Sequence, residues 1–392
     1  MIDSVAYKDC VLCGSCVCIC PVHAISFEAP VLDFKYPRID FSKCVGCNKC
    51  EKVCPVIKDA AIQPTCAPEA VIARHRNSEI RKASTSGGIF SAAVEEILTK
   101  NGIICGAVFD ENFKVRHICT ESEDDIHKMM GSKYAQSDMG DCFSQIRSYL
   151  DHERLVLFTG CPCQVAGLRA FLGREYNNLI LMEVVCHGIP SEQMLRSYIK
   201  LLETKKRSGL TALRFRDKSK GWHHSSVTAA FSSGGSYSKP YTADAYMRGF
   251  LGSTYLKESC YHCRFRAFRS GADLTVGDFW GAESEIPQFD DNTGLSAVLI
   301  NTQKGKNFLQ SLDIDSHPID AETVICYNKN IMESPERSPD RDEFYRLAQK
   351  IGYSNAICKM FWEKTAAKLK REARYTARCV YYKMLGREKP LY

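Results

Sequence analysis

The strongest constraint on this chain is a cysteine pattern written twice. Cys10, Cys13, Cys16 and Cys20 precede Pro21, and Cys44, Cys47, Cys50 and Cys54 precede Pro55, each run spelling C-x2-C-x2-C-x3-C-P. A C-x2-C-x2-C loop lets three thiolates converge on one 4Fe–4S cube while backbone amides turn toward its sulfurs, and the fourth ligand comes from elsewhere. In two-cluster ferredoxins the Cys before Pro serves the other cube. Cys10, Cys13, Cys16 and Cys54 are therefore assigned to one cluster, and Cys44, Cys47, Cys50 and Cys20 to the other. The prolines end the loops by fixing φ and removing a donor. Structural zinc needs four ligands per site and a disulfide framework needs an oxidising compartment, so a doubled eight-cysteine spacing favours iron over both. Cys18 falls outside the spacing and reads as a packed free thiol.

At 392 residues the chain has room for a full α/β core beside a module of about 60 residues. Its start has no basic segment followed by an apolar one, and no apolar run reaches the roughly 18 residues of a membrane span. A cytoplasmic protein is expected, in a reducing compartment that keeps 21 cysteines available for iron. The net charge of +6 is local: residues 359–392 hold ten Lys or Arg against three Glu, leaving the rest one unit negative. No basic groove for nucleic acid is expected.

The division read from the chain is a two-cluster ferredoxin-like domain at 1–60, a linker at 61–68 and an oxidoreductase body at 69–355. A basic amphipathic C-terminal helix follows at 356–392. In the body, Ala70–His75, Ile103–Phe109, Phe113–Cys119, Arg154–Thr159, Leu179–Val185, Asp273–Phe279 and Ser296–Asn301 read as strands, and Gly88–Lys100 has helical apolar spacing. The fold class expected is an α/β body, a mixed or parallel sheet with covering helices, preceded by a small α+β bacterial-ferredoxin-like domain. Sites are expected where strands end in loops.

Three pieces of the body stand out, each following an expected strand or sitting in a polar loop: Gly160-Cys161-Pro162-Cys163-Gln164, Cys186-His187-Gly188 and Cys260-Tyr261-His262-Cys263. From spacing alone, Cys163, Cys186, Cys260 and Cys263 form a weak four-ligand set, because C-x2-C also serves zinc and redox disulfides. Ser86-Gly87-Gly88 before a helix suits a phosphate at exposed amides, and Gly131-Ser132-Lys133-Tyr134 offers a close-approach glycine, a hydroxyl, a charge and an aromatic. Ordinary caps and turns are the competing reading of both. Adjacent His223 and His224 make a poor metal pair, since neighbours in a strand face opposite ways.

The ordered segments Ser84–Phe90 (STSGGIF), Gly131–Tyr134 (GSKY), Gly160–Leu168 (GCPCQVAGL), Cys186–Ser191 (CHGIPS) and Ser270–Trp280 (SGADLTVGDFW) resemble the beta-subunit family of coenzyme F(420) hydrogenases and dehydrogenases, from about residue 67 to 310. The resemblance implies an FAD-containing α/β domain with its own 4Fe–4S cluster, exchanging electrons between clusters and flavin and, in some members, hydride with a deazaflavin coenzyme. It implies a third cluster on Cys163, Cys186, Cys260 and Cys263. Flavin contact is implied at Ser86, Gly87, Gly88, Gly131, Ser132, Lys133, Tyr134, Gly160, Pro162 and Gln164. The family usually has Thr where this chain has Cys161, an extra thiol that can replace Cys163 as ligand, act as a redox thiol or fill space. His187, beside a ligand, is the candidate proton relay, against a structural role.

From Phe361 to Leu385 an apolar stripe runs beside a basic face. Packing on the body competes with contact at an anionic membrane surface on the inner face. The expected function is an iron–sulfur flavoprotein oxidoreductase serving a small-molecule or deazaflavin-like acceptor, with a redox partner protein or ferredoxin. The alternative is an electron-transfer adaptor subunit that feeds a partner enzyme and has no organic substrate of its own.

Overall fold

In the computed structural model, residues 2–64 and 68–363 are described, with positions 369, 373, 374 and 377 beyond them. The tail stripe therefore lies almost wholly outside the described residues. The chain forms two compact units, one holding the residues up to Met194 together with Leu256–Arg337, the other Leu195–Tyr255 with the described residues from Ser338 onward.

The first unit begins with the cysteine loops and a hairpin of β1 (Ile25–Val31) and β2 (Phe34–Ile39). Both cysteine loops bend the same way. Leu12 (φ 55°) and Gly46 (φ 68°) precede the second Cys of each run, and Gly14 (φ 84°) and Asn48 (φ 53°) follow it, all four left-handed. A glycine adopts this without cost, whereas Leu12 is held there by its surroundings.

An eight-stranded sheet follows, from β3 (Glu69–His75), β4 (Ile103–Phe109), β5 (Val115–Thr120), β6 (Val156–Gly160) and β7 (Leu179–Val184). After β8, β9 and β10, which belong to the second unit, β11 (Leu274–Asp278), β12 (Ser296–Ile300) and β13 (Ile314–Ile319) complete it. Its order is β13-β3-β12-β11-β7-β6-β4-β5. β4, β6, β7 and β11 pair in parallel, while β5, β12 and β13 run against their neighbours. The mixed sheet expected from the sequence is thus present, preceded by the small α+β region.

Both faces are covered, which is why β6 reads as an unbroken apolar run: Val156, Leu157 and Phe158 are fully buried. The helices Ile89–Thr99 and Gln303–Gln310 cover one face, and Cys142–Asp151 and Pro162–Leu172 the other. Each such buried side chain contributes roughly 1.5–3 kcal/mol. The strand expected from Phe113 starts at Val115 instead. Phe113 is left-handed in a turn where Asp110 Oδ1 accepts the Asn112 and Lys114 amides.

The second unit is built on a three-stranded antiparallel sheet, β10-β9-β8, from β8 (Leu210–Asp217), β9 (Ser226–Phe231) and β10 (Ser236–Pro240). Buried Asp244 accepts the hydroxyls of Tyr198 at 2.6 Å and Tyr237 at 2.7 Å and caps the helix Ala245–Leu251. His223 rests against Trp222, ring centroids 4.8 Å apart.

Candidate iron–sulfur and flavin site

The cysteine loops enclose two cavities, each bordered by four cysteines. One, of about 540 Å³, is lined by Cys10, Cys13, Cys16 and Cys54 together with Val11, Tyr36 and Ile39. The other is small, about 20 Å³, and is lined by Cys20, Cys44, Cys47 and Cys50. The Cys before Pro in each run thus borders the cavity of the other run, in the grouping expected from the spacing. Burial pushes the Cys10 thiol up to about 12 and raises Cys13 and Cys16. Such thiols stay protonated until a metal displaces the proton. The Ala24 amide donates to Cys20 Sγ at 3.2 Å. Cys18 is half-buried beside Ser144, Sγ to Oγ 3.1 Å.

The second set assembles at the carboxyl ends of the parallel strands. Cys161 caps the helix Pro162–Leu172, whose first turn presents Cys163, and Cys186 follows β7. Cys260 and Cys263 come from the segment around Glu258–His262. Cys163 faces Cys186, Cys260 and Cys263, and burial raises its thiol. The Cys161 thiol donates a hydrogen bond to Cys186, which draws the Cys186 thiol down to about 6 against its burial. Burial pushes Cys260 up to about 11.

Two buried cations offset this thiol cluster. Lys257, 1% exposed, donates to the Val11 carbonyl and to Gln136 Oε1 at 3.2 Å. Burial works against its ammonium, but Cys163 and Cys260, with Tyr36 and Cys10, outweigh burial and raise its pKa. Arg266 donates to the His187 carbonyl at 2.7 Å and to that of Asn330. Four thiols, two fixed cations and a sheet-edge position suit a cluster carrying net negative charge. The same segment binds the first cysteine loop: Lys257 to Val11 O, Ser259 Oγ to Cys10 O at 3.1 Å, and His262 Nε2 to Lys8 O at 2.9 Å. Cys13 and Cys163 also share one apolar cluster with Val11, Ala166 and Phe265.

Candidate flavin residues lie around the same edge. Gly88 (φ 88°) opens the helix Ile89–Thr99, a place for a phosphate. Gly87 is tied inward, its amide to Ser296 Oγ at 3.0 Å, and a Cβ there would fall 2.5 Å from Ala73 O. Ser86 Oγ donates to Leu295 O at 2.8 Å. Gly131 (φ 88°) has open space where a Cβ would point. Lys133 Nζ caps the helix Glu123–Met129, donating to the carbonyls of Lys128, Met129, Met130 and Gly131 at 2.6–3.2 Å. Gln164, 3% exposed, accepts from the Cys161 amide at 2.9 Å and donates to Met139 Sδ. Gly160 ends β6 and Pro162 starts the next helix, so both serve the turn that carries Cys163. His187 Nδ1 lies 3.3 Å from Asn330 Oδ1.

Sequence reasoning missed Lys257, Arg266 and Glu183. The last, buried at the end of β7, accepts from Thr275 Oγ1 at 2.7 Å, and burial pushes its carboxyl up to about 7. A lysine three residues before a C-x2-C pair was the available signal.

Among the described residues no helix is long and apolar enough to cross a membrane. No curated protein matches the chain. A solved structure, the xenon-derivatised F(420)-reducing NiFe hydrogenase complex from Methanosarcina barkeri, contains a similar chain at 16% identity and a TM-score of 0.42, over 81% of this chain and 95% of that one. Three family models match: 4Fe-4S dicluster domain over residues 9–57, and coenzyme F(420) hydrogenase/dehydrogenase, beta subunit, N-term over 70–143 and C terminus over 153–322. The last two take in more than half of the chain, which belongs to the coenzyme F(420) hydrogenase/dehydrogenase beta subunit family and carries a two-cluster 4Fe–4S ferredoxin domain ahead of that body.

Proposed function

We propose that the protein is a cytoplasmic iron–sulfur flavoprotein oxidoreductase, passing electrons between 4Fe–4S clusters and FAD, and on to or from a small-molecule or deazaflavin-like acceptor, with a protein redox partner. The observation that carries this reading is the set of three bonds from Lys257, Ser259 and His262 to residues 8–11. They fasten the Cys260–Cys263 segment to the first ferredoxin loop, so two thiol sets face each other across a few residues. The proposal keeps the domain division 1–60, 61–68, 69–355 and 356–392.

Bound clusters supply one-electron steps and FAD joins these to two-electron chemistry. The chain's own residues hold and tune. Cys10, Cys13, Cys16 and Cys54 hold one cluster, Cys20, Cys44, Cys47 and Cys50 another, and Cys163, Cys186, Cys260 and Cys263 a third. The opening turn at Gly88 and the loop at Gly131–Tyr134 receive the flavin, Lys133 bracing the backbone of that loop and Gln164 the turn at Cys161. His187, and Glu183 with its carboxyl near neutrality, hold protons beside Cys186.

One observation favours the adaptor reading: Gly87, Lys133 and Gln164 already spend their polar groups inside the protein. Anaerobic purification followed by iron, acid-labile sulfide and released-flavin quantification separates the two. Roughly twelve irons and one FAD per chain are expected. About eight irons without flavin would replace the proposal with an adaptor that serves a partner enzyme.

A further inference from the structure

Three cysteines of the body converge with no spacing signal in the sequence. Cys105 in β4 and Cys119 in β5 are directly paired in antiparallel register, their sulfurs 2.6 Å apart. Cys142, the first residue of the helix Cys142–Asp151, brings its sulfur to 3.5 Å from that of Cys119. Cys105 and Cys142 are buried at 0% and 1% exposure, and Cys119 is half-buried.

Geometry decides what such a group can do. A soft ion with metal–sulfur bonds of about 2.3 Å holds its thiolates roughly 3.7–4.0 Å apart. Cys105 and Cys119 would have to part by more than an ångström inside a packed sheet. A disulfide needs the sulfurs at about 2.05 Å and Cα atoms about 4.4–6.8 Å apart, and directly opposed antiparallel residues lie about 4.5–5.5 Å apart. The pair can therefore close with side-chain rotation alone. The thiol of Cys105 donates toward the Cys119 sulfur and draws the Cys119 thiol down to about 5, while burial keeps Cys105 protonated. A half-buried thiolate on the edge strand β5, backed by a buried thiol, is the arrangement that thiol–disulfide exchange uses.

We propose that Cys105 and Cys119 form a redox-active dithiol that exchanges with low-molecular-weight thiol disulfides, Cys119 attacking and Cys105 resolving. The Cys119 thiolate bonds to one sulfur of the small disulfide, breaking its S–S bond and releasing one small thiolate. Cys105 then loses its proton and attacks Cys119 Sγ, forming the protein disulfide and releasing the second. Two protein thiols are oxidised, the small disulfide is reduced to two thiols, and both protons leave with them. The centre adjoins the ferredoxin module, because the helix of Cys142 also carries Ser144, the neighbour of Cys18.

The test uses the anaerobic holoprotein, equilibrated in glutathione and glutathione disulfide at graded ratios, acid-quenched, alkylated and mapped by peptide mass spectrometry, with iron measured on the same samples. A single Cys105–Cys119 linkage is expected to appear with one midpoint and unchanged iron. Cys105→Ser should stop at a glutathione adduct on Cys119, and Cys119→Ser should take up no glutathione at Cys105 or Cys142. The proposal is overturned if Cys119 stays a free thiol throughout with iron retained, or if the linkage forms only in protein that has lost iron. It is also overturned if the three thiols resist alkylation in reduced protein holding about one equivalent of zinc.

Discussion

Replacing Gly167 by Ala probes the seam between the first ferredoxin loop and the body. Gly167 lies within the helix Pro162–Leu172, and a Cβ there would fall 2.6 Å from Cys13 Cβ and 3.0 Å from Cys13 Sγ. Carbon atoms pack best at about 3.5–4.0 Å, so one side must retreat by roughly an ångström. Neither side yields readily. Val165, Ala166 and Leu168 are fully buried, while Cys13 stands between left-handed Leu12 and Gly14 and Ser15 Oγ holds Gly167 O at 3.0 Å. In an open helix the change would stabilise by about 0.5–1 kcal/mol. Overpacking costs about 1–3 kcal/mol, leaving a net loss of roughly 0–2.5 kcal/mol, about 1 kcal/mol at the midpoints. In anaerobic holoprotein heated at one fixed rate, the apparent midpoint should fall by about 1–4 °C. Amide exchange should rise first at residues 10–16. A variant as stable as the parent, with exchange unchanged there, would refute the close approach and leave helix propensity in control.

Cys260→Ser should remove about four irons per chain while the ferredoxin eight remain, read as iron and sulfide; unchanged content would remove the third set. Cys54→Ser should abolish the electron-paramagnetic signal of the Cys10, Cys13 and Cys16 cluster and Cys20→Ser the other, and the reverse pattern would undo the crossed grouping. Lys257→Met should lower the midpoint potentials of the neighbouring clusters by roughly 40–90 mV, the worth of about 1–2 kcal/mol of lost attraction. Lys257→Arg should recover most of it, and equal potentials in all three proteins would show the ammonium to be electrically silent. His117, with Ser137 at 2.6 Å and Thr159 O at 3.1 Å, is pulled down to about 4 by burial. Below about 6.5 the unfolded chain takes up a proton that the folded one refuses. Stability is thus full above pH 6.5 and lost as pH falls toward 4, by up to ~3 kcal/mol. His117→Gln should flatten that acid limb of the apparent midpoint, and an unchanged slope would place the titration elsewhere.

The cluster loops were legible because their ligands are local: three of four thiols come from seven residues, and chain geometry does the rest. The apolar strands β4, β6 and β7 were legible because burial on both faces demands unbroken apolar runs. The strands β8 to β10 escaped notice. β8 buries few of its residues in regular alternation, and the Ser-Ser-Gly-Gly turn between β9 and β10 is a hairpin signal that was passed over. β13 was hidden by Pro318, which an edge strand tolerates. Gly87 was read as a phosphate residue from its neighbours in sequence, whereas its close contacts, Ala73 and Ser296, come from two strands that only the fold brings together.

The same distinction explains why Lys257 matters more than its sequence suggests. A lone lysine near two cysteines is ordinarily a solvated surface charge, and only its place three residues before Cys260 hints otherwise. Folding carries it to the Val11 carbonyl, inside the loop that holds Cys10 and Cys13, with Cys163 and Cys260 on its other side. A buried ammonium is costly unless negative charge surrounds it. Neutral thiols supply little, since burial raises Cys10, Cys163 and Cys260 toward the protonated form. The bonds to Val11 O and Gln136 Oε1 relieve part of the cost, and thiolate sulfurs, the state that metal ligation enforces, relieve more of it. Lys257 therefore ties the joining of ferredoxin loop and body to metal loading of both thiol sets, so chelation should loosen the segment 8–11 from the segment 257–262 before it unfolds the sheet. Hydrogen exchange on apo- and holoprotein reads this directly: protection lost first in those two segments supports the coupling, and uniform loss across β4, β6 and β7 would break it.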